Sequence, residues 1–251
     1  MISSVNNLVK VATSPFVIVA LDYDNINTAL EFVNNIDPLD CRLKVGNEMF
    51  TKYGFKFIKL LCNLGFDVFL DLKYHDIPCT VARSVTAAAE IGVWMVNVHA
   101  SGGIQMMEAA RKALEIYGDE APLLVAVTVL TSINEFDLKY LGINDMISSH
   151  VKRLALLSKK CGFDGVVCSV NEIKNLKKVC GIEFKVITPG IRFIDSDVNE
   201  HKYTMSPSEA VKAGVDYVVI GRPITGVKNQ ALMLKQINLS ITKSRNQINI
   251  Y

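Results

Sequence analysis

The sequence predicts an α/β fold, a (β/α)₈ TIM barrel forming a single domain, and three observations support this. Short apolar runs rich in Val, Ile and Phe alternate with longer stretches of helical periodicity, as in βα units with a parallel sheet. Eight such runs occur in 251 residues, a length at which α/β barrels fold as one domain. No G-x-G-x-x-G motif follows the first run, which disfavours a dinucleotide-binding sheet. An open doubly wound sheet is the alternative that the pattern leaves.

The domain is expected to take up residues 1–251, with 1–14 as a leading segment, and its strands follow the apolar runs in order. They are predicted at 16–21, 41–45, 68–72, 95–99, 123–129, 165–168, 184–187 and 217–220. The intervening helices are expected to end at glycines, because glycine readily adopts the left-handed conformation that closes a helix. These are Gly65, Gly92, Gly162 and Gly214. The last of these helices also begins with Ser206-Pro207-Ser208-Glu209, a capping box with proline at the first helical position.

Composition narrows the class of protein. Lys and Arg total 27 against 25 for Asp and Glu, and basic residues do not cluster with aromatics, so we expect no nucleic-acid partner. No run of about 18 apolar residues occurs, so we expect no membrane span, and residues 1–13 lack the pattern of a signal peptide. The six cysteines are scattered without C-x-x-C pairs or Cys/His ligand spacing. This usage fits a reducing cytoplasm and predicts no metal site.

Polar residues follow the predicted strands, and in a barrel such positions meet at one rim, where active sites form. Singly, several have ordinary explanations: Asp22 and Thr131 could cap helices, and His99 could be a rim histidine. Their joint placement favours a site instead. The residues are Asp22, Lys44, Asp71, Lys73, His99, Thr131, Pro189, Arg192, Gly221 and Arg222.

The segment Asp71-Leu72-Lys73-Tyr74-His75-Asp76 carries the most specific chemistry. In a regular strand Asp71 and Lys73 point to the same face, and Asp76 follows in the loop. Alone, D-x-K would be a surface ion pair. Together with Lys44, these residues alternate in sign, so each charge is compensated and Lys73 is held protonated. A fixed lysine ammonium beside a carboxylate suits a reaction that generates a carbanion and then protonates it.

A phosphate site is predicted after the last strand, at Gly221-Arg222-Pro223. Glycine allows close backbone approach and arginine pairs with two phosphate oxygens. Arg192 is a candidate second cation, in a 190–205 segment whose length is typical of a lid.

Seven segments together resemble the orotidine 5′-phosphate decarboxylase family, and its bacterial branch most closely. They cover nearly the whole chain: ALDYD (20–24), LKVG (43–46), DLKYHDIPCTV (71–81), NVHASGG (97–103), VTVLTS (127–132), TPGIR (188–192) and GVDYVVIGRPIT (214–225). The resemblance implies a barrel that decarboxylates orotidine 5′-monophosphate to UMP in de novo pyrimidine biosynthesis. It also implies a cytoplasmic homodimer with shared active sites and no cofactor.

The resemblance implies a role for each matching residue. Lys73 donates a proton to C6 of the pyrimidine, Asp71 lies beside the departing carboxylate, and Lys44 completes the charged row and reaches the ribose. Further substrate contacts are implied for Asp22 at a ribose hydroxyl, Thr131 at the pyrimidine ring, and Arg192, Gly221 and Arg222 at the phosphate. Pro189 is also implied to bind substrate. Asp76 and Thr80 are implied to enter the partner subunit's site, and Ile77 is implied to bind substrate.

One position departs from the family. Bacterial relatives usually carry Gln in the lid where this chain has His201, as aligned from Arg192. That Gln bridges phosphate and pyrimidine. An imidazole can donate to phosphate but lacks an amide's donor and acceptor on one carbon.

Two other functions remain as alternatives. A Mg²⁺-dependent sugar-phosphate decarboxylase or synthase of the same superfamily shares D-x-K-x-x-D but carries an acid on strand 2, where this chain has Lys44. A non-catalytic nucleotide-binding barrel is expected to lack Lys73 or Asp71, and both are present.

Overall fold

The eight strands pair in sequence order and close into a parallel barrel, with β8 returning to β1. The computed structural model describes residues 16–191 and 205–248. The predicted barrel is therefore confirmed, and the open sheet is wrong. The strands are β1 Val17–Ala20, β2 Arg42–Gly46, β3 Val68–Tyr74, β4 Met95–His99, β5 Leu123–Val127, β6 Gly165–Val167, β7 Lys185–Thr188 and β8 Tyr217–Ile220.

Helices follow the strands and pack around the barrel. They are α1 Ile26–Asn34, α2 Asn47–Asn63, α3 Pro78–Ile91, α4 Gly103–Leu114, α5 Glu135–Tyr140, α6 Ile147–Lys160, α7 Ile173–Cys180, α8 Pro207–Ala213, α9 Arg222–Thr225 and α10 Gln230–Ile248. Short 3₁₀ turns lie at Ala100–Gly102, Glu115–Glu120 and Val170–Glu172. Within the described ranges, none of the helices combines the length and apolar character needed to cross a bilayer.

The helix-ending signals act as the sequence predicts. Gly92 and Gly214 close α3 and α8 in the left-handed conformation. The Ser206 side chain accepts the Glu209 N–H, and the Glu209 carboxylate accepts the Ser206 N–H, which completes the capping box. Two strand ends differ from prediction by two residues, because β3 continues to Tyr74 and β5 stops at Val127, and the other bounds agree within one residue.

The core forms two layers separated by the sheet. The larger layer lies between the strands and the helices. The smaller one fills the barrel interior with one inward side chain from most strands: Ile18, Ala20, Phe69, Met95, Val125, Ile187 and Val219. Side chains alternate across a strand, so the inward positions beyond this apolar layer also face the barrel axis. The polar site is built there.

The opposite end of the barrel is closed by a buried arginine. The Arg42 guanidinium lies 4.1 Å from the ring centroid of Trp94 and 5.1 Å from that of Tyr217. Its Nε donates to Asp67 at 3.0 Å. Arg42 and Lys44 both point into the barrel from β2. Arg42 lies near the amino ends of the strands, whereas Lys44 lies near their carboxyl ends, where the cavity opens.

Candidate active site

A cavity of about 470 Å³ opens at the carboxyl ends of the strands. Its base is apolar, formed by Ala20, Phe69 and Val219 from the interior layer. This volume lies in the range typical of small-molecule sites. Eight predicted site residues line it: Asp22, Lys44, Asp71, Lys73, Thr131, Pro189, Gly221 and Arg222.

Four of these side chains form a row of alternating charge. The Lys44 ammonium lies 3.4 Å from Asp22 Oδ1 and 3.2 Å from Asp71 Oδ2. The Lys73 ammonium lies 2.8 Å from Asp71 Oδ1. Asp22 is largely exposed, whereas the side chains of Lys44 and Asp71 keep only 12% and 11% of their exposure. Each buried charge therefore has an opposite charge in contact, as burial of ions requires.

Asp71 also accepts a hydrogen bond from an uncharged side chain of the next strand. The side-chain amide of Asn97 on β4 donates to Asp71 Oδ1 at 2.6 Å. Two ammonium groups and one amide thus converge on a single carboxylate, which fixes its orientation.

The backbone at Lys73 departs from the regular strand that the sequence predicts. Leu70 pairs with Val96 and Tyr74 with Val98, so three residues of β3 lie opposite Asn97 alone. Lys73 has φ of 52°, and no other non-glycine residue in the described ranges has a positive φ. This conformation costs a side-chain-bearing residue about 1–3 kcal/mol. Asp71 and Lys73 do meet, but across a bulge rather than by alternation along a flat strand.

The predicted phosphate-binding residues line the same cavity, with Gly221 next to the Asp22 end of the charged row. Gly221 precedes α9, and Arg222 begins it. A side chain at Gly221 would meet Ala20 and Asp22 only at ordinary contact distance, 3.6 and 3.9 Å. The glycine therefore leaves its backbone open to a ligand in the cavity, rather than relieving a clash within the fold.

Four predicted site residues do not line the cavity of their own chain, namely His99, Asp76, Ile77 and Thr80. Asp76 is exposed and its Oδ1 accepts the N–H of Ile77 at 2.6 Å. Ile77 itself is 61% exposed, although it is a large apolar residue. Thr80 follows in the first turn of α3. Two further predicted residues, Arg192 and His201, lie outside the described residues, as does most of the predicted lid. The ends of that segment are joined by a parallel bridge between Ile191 and Met205.

A histidine pair lies beside the charged row. The rings of His75 and His99 have centroids 5.5 Å apart. The pKa of His99 is lowered, first by burial and then by the positive charges of His75 and Lys73, with Asp71 acting in the opposite direction. His99 is thus held neutral near neutral pH, next to the Lys73 ammonium.

Comparison with known proteins identifies the family. Residues 15–237 match the model of the "Orotidine 5'-phosphate decarboxylase / HUMPS family". The chain belongs to this family. Curated relatives named orotidine 5′-phosphate decarboxylase include one from Shigella dysenteriae, 56% identical over 94% of this chain and 96% of the relative. Another, from Haemophilus influenzae, is 57% identical over 90% of this chain and 98% of the relative.

Two solved structures superpose on the barrel. The orotidine 5′-phosphate decarboxylase of Lactobacillus acidophilus has a TM-score of 0.82 and 37% identity, covering 91% of this chain and 99% of that one. A protein of Geobacillus kaustophilus described as uncharacterized has a TM-score of 0.79 and 35% identity, covering 90% and 99%. The predicted family and enzyme class, a carboxy-lyase, are confirmed by these relatives' names and the family match.

Asn97 has no predicted role, although the sequence carries a signal for one. Asn97 interrupts the apolar run M-V-N-V-H. It lies two residues after Met95, so in a strand it points to the same side as Met95, which faces the barrel interior. A fully buried amide at such a position requires hydrogen-bond partners. Cys168 was also missed as part of the cavity wall. Burial raises the pKa of its thiol to about 12, so it contributes an uncharged surface.

Proposed function

We propose that the chain decarboxylates orotidine 5′-monophosphate to UMP and CO₂ in de novo pyrimidine biosynthesis. The observation that carries the proposal is the row Asp22, Lys44, Asp71 and Lys73 along one wall of the cavity, with ion-pair distances of 2.8–3.4 Å. The names of the relatives support the same reaction.

The row suits both halves of the reaction. When the bond between C6 and the carboxylate breaks, CO₂ leaves and the electron pair stays on C6. The Lys73 ammonium then gives a proton to C6, forming the C–H bond of UMP. Its fixed positive charge stabilises the developing carbanion more than it stabilises the neutral ring carbon of the substrate. Asp71 lies beside the leaving carboxylate, while Lys44 and Asp22 hold the ribose.

The phosphate is held beyond the Asp22 end of the row, where a Cβ at Gly221 would lie 3.9 Å from Asp22. Gly221 and Arg222 carry this role, the resemblance adds Arg192, and His201 stands where bacterial relatives usually carry Gln. Thr131 and Pro189 also line the cavity and would contact the pyrimidine. Binding energy from a phosphate remote from the reacting bond can be used to close a lid and expel water, which strengthens the electrostatic effect of Lys73.

We further propose a homodimer in which Asp76, Ile77 and Thr80 complete the partner's cavity. The exposure of Asp76 and Ile77 supports this, since a large apolar side chain such as Ile77 gains by being covered. Their position outside the cavity of their own chain also supports it. Asp76 would then add the fourth alternating charge, next to the Lys73 of the other subunit.

The Mg²⁺-dependent alternative deserves a test, because the family match alone leaves room for it. The observation that opposes it is Lys44, whose ammonium occupies the β2 position at which such enzymes carry an acid and lies 3.2 Å from Asp71. A cation there repels a divalent metal.

One assay separates the candidates. Purified protein is incubated with orotidine monophosphate labelled at the carboxylate, and released CO₂ is counted with and without EDTA. We expect release that EDTA does not change. Release abolished by EDTA and restored by Mg²⁺ would support the sugar-phosphate type of site. Tight UMP binding without release would support the non-catalytic barrel.

A further inference from the structure

We propose that Asn97 is a positioning residue that sets the left-handed backbone of Lys73 and aims its ammonium at Asp71. This inference rests on the proposed function, because it concerns how Lys73 becomes an effective proton donor. It assigns a role to a side chain buried beneath the charged row and outside the cavity wall.

The bulge in β3 creates the need for such a residue. Between the pairs Leu70–Val96 and Tyr74–Val98, Asp71, Leu72 and Lys73 lie opposite Asn97 alone. The regular backbone hydrogen bonds between β3 and β4 are interrupted over these residues. The backbone N–H of Lys73, which lies inside the sheet, therefore needs another acceptor. The acceptor is the Asn97 side-chain oxygen, which receives the Lys73 N–H at 2.8 Å.

The same amide also fixes the other end of the bulge. Its nitrogen donates to Asp71 Oδ1 at 2.6 Å, and that oxygen is the one contacted by the Lys73 ammonium at 2.8 Å. Asn97 therefore closes a ring: its oxygen holds the Lys73 backbone, its nitrogen holds Asp71, and Asp71 holds the Lys73 side chain. Lys73 is kept in its unfavourable φ of 52° by this ring.

The chemistry of the position favours asparagine. The side chain must accept from a backbone N–H and donate to a carboxylate, and an amide does both from one carbon. Its side chain is entirely inaccessible, so water cannot replace either hydrogen bond from the surface. An aspartate would accept but donate only when protonated, and a leucine of similar shape would do neither.

Two Asn97 variants and one control test this role. Asn97→Leu removes both hydrogen bonds, whereas Asn97→Asp keeps the acceptor and makes the donor depend on protonation. Ser158→Ala is the control, because Ser158 is equally buried but lies on α6 and donates to Leu154 and Met107, far from the charged row. Affinity for UMP is measured alongside kcat, since UMP reports binding without the reaction.

We expect Asn97→Leu to lower kcat by roughly a hundredfold, the effect of displacing a catalytic group by about 1 Å. UMP affinity should stay within threefold of wild type. A crystal structure of the variant should show residue 73 out of the left-handed region and its ammonium displaced from Asp71. Ser158→Ala should leave kcat unchanged.

The Asn97→Asp variant is tested by the pH dependence of its kcat, which a purely structural role of Asn97 would not change. The introduced carboxyl and Asp71 would share a proton, and the protonated form can donate as the amide does. The ratio of variant to wild-type kcat should therefore fall as pH rises. The neighbouring titratable and charged groups, which are Lys44, Lys73, Asp71, His75 and His99, are common to both proteins.

Several outcomes would overturn the proposal. One is an Asn97→Leu protein with kcat within threefold of wild type, and another is an unchanged Lys73 backbone in its crystal structure. A pH-independent ratio for Asn97→Asp would do the same. If wild type itself neither binds UMP nor releases CO₂, the proposed function fails instead, while the crystal structure still decides whether Asn97 holds Lys73.

Discussion

At the scale of single residues, Lys73 combines the charge of the proposed proton donor with an unfavourable backbone. Its ammonium contacts Asp71 at 2.8 Å and its φ is 52°. Natural sequences keep such conformations where the position of a side chain matters for function. The residue is therefore expected to be far more important for rate than for folding.

We expect Lys73→Ala to abolish decarboxylation while the protein stays folded. The reaction loses its proton donor and the charge that stabilises the carbanion. Rate enhancements of the most demanding enzyme reactions need roughly 23 kcal/mol, so loss of this group should be severe. CO₂ release and thermal unfolding are measured together. A folded variant that keeps more than about a tenth of wild-type kcat, a loss of only about 1.4 kcal/mol, shows that Lys73 is not the essential acid.

The lowered pKa of His99 predicts that the stability of the folded protein depends on pH. Its pKa is lowered in the folded protein, first by burial, so the unfolded chain binds more protons in acid. Stability from this group is fully present above the unfolded value of about 6.5 and decreases as pH falls below it.

The His99→Gln variant tests this dependence in urea unfolding at pH 5 to 8. Its free energy of unfolding should fall less than that of wild type between pH 6.5 and 5. His150 is the comparison, because its pKa is also lowered and it lies away from the site, near Arg153. His150→Gln should remove a separate part of the slope. Equal slopes for wild type and His99→Gln would mean that His99 is not held neutral by the fold.

At the scale of elements, the close approach of β6 and β7 depends on a glycine. Gly165 pairs with Lys185, and a Cβ at Gly165 would overlap the Lys185 carbonyl group, with its carbon at 2.8 Å. The obstacle is backbone, which cannot move without opening the ladder between the two strands. The site depends on this contact, because Val167 of β6 lines the cavity.

We expect Gly165→Ala to lower the free energy of unfolding by at least about 1–3 kcal/mol, the usual cost of overpacking. Gly92→Ala is the matched control. Gly92 has φ of 89° with nothing within 4 Å of an added Cβ, so it reports the cost of the left-handed backbone alone, about 1 kcal/mol. Chemical denaturation gives both values. A Gly165→Ala protein no less stable than Gly92→Ala would show that the strands can separate cheaply.

At the scale of the whole molecule, the question is whether one chain makes a complete site. Asp76, Ile77 and Thr80 lie outside its own cavity, and the first two are exposed. A two-fold dimer would place each subunit's copy in the other subunit's cavity, because such an interface pairs the same surfaces reciprocally.

Mixing two inactive variants tests the shared site. In a dimer of one Lys73→Ala and one Asp76→Ala subunit, one site carries both changes and the other carries neither. After subunit exchange at equal concentrations, about a quarter of all sites are intact, so about a quarter of wild-type activity should return. Exchange is verified with distinguishable tags. Verified exchange with no recovered activity would exclude the shared site.

The sequence alone determined the barrel, its helix-ending signals and the rim at which the site forms. Apolar runs and glycine signals are local, and a strand's period of two assigns Asp22, Lys44 and Asp71 to inward positions without knowledge of neighbours. Only the tertiary structure decided the bulge at Lys73 and the pairing of its backbone with Asn97. These depend on the register between β3 and β4, in which residues 24 and 26 apart in the chain come into contact. Periodicity along one strand carries no information about that register, because hydrogen bonds between strands form only once both are placed in the sheet.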